Sequence, residues 1–169
     1  VDDNLIDGTQ TTAVTVAVVD GSSADAYDSV ADSTVSVTTS DDDTASFTLS
    51  GTAVTVSEAG STATFTVVLG AQPSSDVVLS VVSADTGEAA VSPAQLTFTS
   101  GNWNTAQTVT VGGVDDNAVD GTQTTAVTVA VVDGSSDDAY DSVADQTVTV
   151  TTSDDDAAGY TLSGASGTS

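Results

Sequence analysis

The chain carries 25 Asp and Glu residues and no Lys, Arg, His or Cys, so carboxylates are its only strongly charged groups. They are grouped: Asp41-Asp42-Asp43, Asp115-Asp116 followed by Asp120, Asp137-Asp138 followed by Asp141, and Asp154-Asp155-Asp156, with Glu58 and Asp85 standing apart. Clustered carboxylates bind hard cations. Calcium takes about six to eight oxygen ligands at roughly 2.3–2.6 Å, which convergent loop acids can supply, whereas magnesium keeps several waters and uses one or two carboxylates. Zinc, copper and iron–sulfur sites are excluded by the lack of imidazole and thiolate.

The same inventory argues against an enzyme. No His, Lys or Arg is present to activate a Ser or Thr nucleophile. A carboxylate pair can hydrolyse glycosides, but it needs an apolar or aromatic cleft that binds sugar and raises one pKa. One Trp and three Tyr offer little for such a cleft. Trp103 in GNWNT reads as a loop residue capping its own core. Nucleic acid and anionic membrane surfaces are disfavoured as partners, because both select basic patches.

The elements that must position these acids repeat. VDDNLIDGTQTTAVTVAVVDGSS from Val1 recurs as VDDNAVDGTQTTAVTVAVVDGSS from Val114, a spacing of 113 residues, and only eight positions differ between 1–51 and 114–164. A period this long marks units with their own cores rather than a solenoid. Alternation of apolar residues with Thr, Ser and Ala predicts seven short strands in one unit: A Ser46–Val56, B Thr62–Leu69, C Val77–Val82, D Gln95–Thr99, E Gln107–Val111, F Thr122–Val132 and G Thr147–Thr152. Gly, Pro, Ser and Asp separate them. The expected fold is all-β, an immunoglobulin-like Greek-key sandwich in tandem repeats. Residues 45–156 form the complete unit; 1–44 hold strands F and G of a preceding one and 157–169 the first strand of a following one. Val1 does not begin a signal peptide and no run spans a membrane, so the chain reads as an internal segment of a longer polypeptide.

Strands that alternate in direction send every second loop to the same end. Loops A–B with Glu58, C–D with Asp85 and Glu88, E–F with Asp115, Asp116 and Asp120, and the end of G with Asp154, Asp155 and Asp156 therefore share one pole. The F–G loop brings Asp133, Asp137, Asp138, Asp141 and Asp145 to the other, as a second cation site or as a solvated loop.

VSEAG at 56–60, LTFTSGNWNTAQTVTV at 96–111, VDDNAVDG at 114–121 and DDD at 154–156 make residues 54–156 resemble the Calx-beta family, calcium-binding sandwiches also found in giant bacterial adhesins. The resemblance implies calcium at Glu58, Asp85, Asp115, Asp116, Asp120, Asp154, Asp155 and Asp156. The family's V-D-D loop usually ends in Glu where this chain has Asp120. DDNAVDG is not an EF-hand loop, because Ala118 and Val127 fall where ligands are required. Near-identical acidic copies suit a stalk of an extracellular, cell-surface repeat protein better than a unique adhesive tip. Asp41, Asp42 and Asp43 are expected to face Asp137, Asp138 and Asp141 across the junction and to share calcium there, stiffening the array. Partners are the neighbouring repeats; the alternative is a filament or sheath subunit completed by inter-chain strand addition, with homotypic fibre contacts.

Overall fold

A computed structural model describes residues 3–164. Its strands are β1 Gln10–Val16, β2 Ser33–Thr39, β3 Phe47–Leu49, β4 Ala53–Ser57, β5 Thr62–Leu69, β6 Val77–Ser83, β7 Ala89–Ser92, β8 Gln95–Phe98, β9 Gln107–Gly113, β10 Gln123–Val131 and β11 Gln146–Ser153. β3 to β11 build a sandwich of two sheets, ordered β4-β11-β10-β6-β8 and β3-β5-β9-β7. Alternate residues point inward, so the core is a Val-rich seam containing Val67, Val77, Val81, Val109, Val111, Val127, Val129, Val148 and Val150, closed by Phe47, Phe65, Phe98, Leu79 and Tyr140. Trp103 packs against this core from its loop.

One expected strand is broken and one further strand is present. A is β3 in one sheet and β4 in the other, where β4 runs parallel to β11 from Ala53↔Thr149 to Ser57↔Ser153. D is β8, paired with β6, and it is preceded by a further strand, β7, paired with β9, with Pro93 between the two. A proline cannot donate to a ladder, and here it lies where the chain leaves one sheet for the other. Ala89–Ser92, expected as loop, is therefore strand. β3 and β4 run in one direction, as do β7 and β8, so the alternation of loops between the two poles survives.

β1 and β2 form a separate antiparallel hairpin, from Gln10↔Thr39 to Val16↔Ser33. They are the sequence copies of β10 and β11, yet every residue of both is exposed. Tyr27 is also exposed, whereas its copy Tyr140 is fully buried and donates its hydroxyl proton to the Ala71 carbonyl. The difference follows from context: Tyr140 has the β5–β6 turn to pack on. Residues 157–164 form no strand, and Tyr160, the sequence counterpart of buried Phe47, is exposed. The rest of the expected following strand, 165–169, lies outside the described residues.

Candidate metal centre

The upper pole is assembled by tight backbone contacts. Glu58 directly follows β4, and its N–H donates to the Ser153 carbonyl at 3.1 Å, which fixes it beside the end of β11. Gly60 closes the turn with φ of +86°, a left-handed conformation that glycine adopts without strain. Gly113 at the end of β9 lies so close to the Ser57 backbone that a Cβ there would collide with its carbonyl. The three chain ends at Ser57, Gly113 and Ser153 are thus drawn together by the sequence itself.

Onto this platform the acids converge. Asp154 is held by two backbone donors: Gly121 N–H to Oδ2 at 2.8 Å and Asp156 N–H to Oδ1 at 2.7 Å. One oxygen from each of Glu58, Asp154 and Asp156 lies within 4.8 Å of the other two, a grouping found nowhere else among the described residues. A cation about 2.4 Å from every oxygen requires separations of at most about 4.8 Å, so the three fit a calcium-sized ion.

Three carboxylate oxygens at this pole are buried without a hydrogen-bond partner: Glu58 Oε2, Glu88 Oε2 and Asp156 Oδ2. Glu58 is only 2% exposed. Burial pushes its carboxyl above the usual range, and the neighbouring charges of Asp154, Asp116, Asp120 and Glu88 push it further. Burial likewise raises Glu88, helped by Asp120, Asp85, Asp116 and Asp154, and raises Asp156, helped by Asp154, Asp155, Asp115 and Asp116. Asp154 moves the other way, because the Gly121 and Asp156 amides stabilise its anion. Buried anions without partners are costly, and the chain has no Lys, Arg or His to relieve them.

The structure brings Glu58, Asp115, Asp116, Asp120, Asp154, Asp155 and Asp156 to one pole, as loop alternation requires. Asp115, Asp116, Asp120 and Asp155 are exposed around buried Glu58 and half-buried Asp154 and Asp156. From the β6–β7 loop it is Glu88 that reaches inward; Asp85 is exposed and accepts the Gly87 N–H at 2.9 Å. Glu88 is absent from the ligand set that the family resemblance implied. Its signal was the run of strand-like residues beginning at Ala89, which anchors Glu88 at a strand end.

At the opposite pole the Asp137 carboxylate is engaged by hydrogen bonds. Its Oδ2 accepts from Ser74 N–H, Ser74 hydroxyl and Ser75 N–H at 2.7, 2.7 and 2.9 Å, and its Oδ1 accepts from Ala139 N–H at 3.0 Å. This buried carboxylate caps the 3-10 turn Asp138–Tyr140 and clamps it to the β5–β6 turn. Burial acts to raise its pKa, but the Ser74, Ala139 and Ser75 hydrogen bonds outweigh it and hold the group below its ordinary value. Asp138 and Asp141 are exposed, and Asp141 is raised by burial and then by Asp133, Asp138 and Asp137.

Asp41, Asp42 and Asp43 line a cavity of about 200 Å³ with Asp3 and Asp7, the counterparts in the first copy of Asp116 and Asp120. Asp41 Oδ2 accepts from Asp7 and Gly8 N–H at 3.0 and 2.7 Å, repeating the Asp154–Gly121 contact. Asn4–Ile6 contact the sandwich at Gln72.

No family model and no curated protein sequence matches this chain. Solved structures share its fold. The apo form of the Calx CBD1 domain is 16% identical with a TM-score of 0.50, covering 68% of this chain and all of that domain. Domains 4 and 5 of the S-layer protein SbsC are 23% identical with a TM-score of 0.51, covering 85% of this chain and 58% of that fragment. The E. coli chaperone DraB is 11% identical with a TM-score of 0.48, and the match likewise spans 58% of its length. The likenesses to the Calx and SbsC domains establish an all-β, immunoglobulin-like sandwich.

Proposed function

We propose that the chain is a non-enzymatic structural module of an extracellular, surface-located repeat protein, rigidified by calcium at the pole formed by Glu58, Glu88, Asp154 and Asp156. The single observation carrying this reading is the set of three partnerless buried carboxylate oxygens in a polypeptide with no cationic side chain. Glu58, Asp154 and Asp156 would hold the ion, with Glu88 and the exposed Asp116 and Asp120 completing the oxygen shell. The bound ion supplies charge neutralisation rather than reaction chemistry, and it ties the ends of β4 and β11 to the β6–β7 and β9–β10 loops. The S-layer and Calx likenesses support a surface module, and the 113-residue repeat supports a stalk.

The test is thermal unfolding followed by Trp103 fluorescence in calcium, magnesium and EDTA. At 100 times the dissociation constant one site adds roughly 2.7 kcal/mol, so the midpoint should rise clearly with calcium and less with magnesium. Glu58→Gln should reverse sign with conditions: more stable than wild type in EDTA, because a buried repelled anion is gone, and less stable in calcium, because a ligand is gone. Equal midpoints in calcium and EDTA would overturn the proposal.

A second reading, a filament or sheath subunit completed between chains, is favoured by the β1–β2 hairpin. Val14, Val16, Val35 and Val37 are exposed there, while their copies Val127, Val129, Val148 and Val150 are buried. A monomer at all concentrations would argue against it.

A further inference from the structure

The junction between the N-terminal segment and the sandwich is a short parallel strand contact. Gln72 N–H donates to the Asn4 carbonyl at 2.6 Å, Ile6 N–H donates to the Gln72 carbonyl at 3.1 Å, and Leu5 bridges Gln72 in parallel. Ile6 packs against the sandwich core. The receiving turn is itself pinned, since the Gln72 side chain donates to the Ser100 carbonyl at 2.8 Å.

The sequence repeats this coupler. Asn117, Ala118 and Val119 stand 113 residues after Asn4, Leu5 and Ile6. Their loop is held in the same shape by the same bonds. Leu5 N–H donates to Asp3 Oδ1 and Ala118 N–H to Asp116 Oδ1. Gly8 N–H donates to Asp41 and Gly121 N–H to Asp154. The Gln10 and Gln123 side chains donate to the carbonyls of Asp7 and Asp120. Only the outcome differs: Ile6 is half-buried on the next sandwich, whereas Val119 is 58% exposed.

We propose that Asn117–Val119 is a preformed docking strand whose partner is the Gln72 turn of another copy of this same 113-residue unit. Successive units are then joined by backbone pairing and one aliphatic side chain, a lock that works without a cation. Because the loop is already ordered, docking loses little conformational freedom. Within 1–10 and 114–123 the copies differ only at Leu5 against Ala118 and Ile6 against Val119, so the second coupler offers less apolar area and grips more weakly. The inference rests on reading the chain as part of an array of copies, but not on the calcium reading.

The chain has no cysteine, which permits a clean cross-linking test. The full chain is lengthened by replacing 157–169, which align with 44–56, by a second copy of 44–156. Cysteines replace Ala118 and the added copy's residue equivalent to Gln72; paired strand positions lie within disulfide reach. The internal reference is Leu5→Cys with Gln72→Cys in the 169-residue chain. All oxidations are run in EDTA, so loss of calcium binding cannot produce the result. We expect both pairs to close, the Ala118 pair at least tenfold faster than one with the cysteine moved to exposed Thr55 of the added copy, and faster again with Val119→Ile. Closure of the reference pair without preferential closure of the Ala118 pair would overturn the proposal. Failure of both would overturn the coupler geometry itself, while a calcium-insensitive melting midpoint would leave it standing.

Discussion

Replacing Asp137 by Ala separates two roles that its sequence context leaves indistinguishable, a cation ligand or a structural clamp. The substitution strips acceptors from three backbone amides, Ser74, Ser75 and Ala139, and from the Ser74 hydroxyl. Loss of the cap on the 3-10 turn costs about 1 kcal/mol. Each charge-assisted bond to Ser74 and Ser75 contributes about 1.5 kcal/mol, and because both serines are exposed, water recovers part of that sum. The net loss should be about 3 kcal/mol, which for a domain of roughly 100 residues lowers the midpoint by about 12 °C. Tyr140 follows the clamp, so its burial against Ala71 should loosen as well. The assay is Trp103 fluorescence melting, since that indole packs on the core of the same sandwich. The decrement should be the same in EDTA and in calcium. A variant that melts like wild type in EDTA but loses a calcium-induced shift would refute the clamp and restore Asp137 as a ligand.

Acidity gives a second check. In EDTA, Glu58, Glu88 and Asp156 bind protons more tightly folded than unfolded, so stability should rise as pH falls from neutral through their raised values toward the ordinary 4.5 and 3.8. Below that, Asp154 and Asp137, held low in the folded state, should withdraw stability as they protonate. In saturating calcium the upper part of the profile should invert, because protons displace the ion; urea midpoints from pH 7 to 3 would show it. A matched pair of valines tests the hairpin: Val129→Ala, in a fully buried position, should cost about 2–3 kcal/mol from two lost methyl groups and the cavity left behind. Val16→Ala, at its copy with 66% exposure, should change stability by less than about 0.5 kcal/mol. Equal costs in chemical denaturation would mean that the hairpin is covered in solution.

The period-two pattern exposed most of the sandwich, and alternating strand direction then placed Glu58, Asp116 and Asp154 at one end. What it could not show was where a strand leaves one sheet for the other. Phe47–Leu49 and Ala53–Ser57 both alternate, so the change at Gly51 is invisible until β11 is seen beside β4. Ser92-Pro93 was legible as a break, but a strand precedes it as well as follows it. Glu88 was not singled out as the inward acid of its loop because an acid's reach depends on which neighbour is buried, and Ala89 gives only a faint apolar signal. Asp137 illustrates the opposite difficulty. A cluster of acids does not reveal which member faces backbone amides, and only the fold brings Ser74 within reach.

The parallel pairing of β4 with β11 has a mechanical consequence. β4 is entered from the chain's start and β11 leaves toward its end, so tension applied along a tethered array pulls these two neighbours in opposite senses. All the cross-links between Ala53–Ser57 and Thr149–Ser153 are then loaded together, in shear, rather than opened one after another like a zipper. A module wired this way should yield at high force and extend abruptly, as suits a load-bearing link.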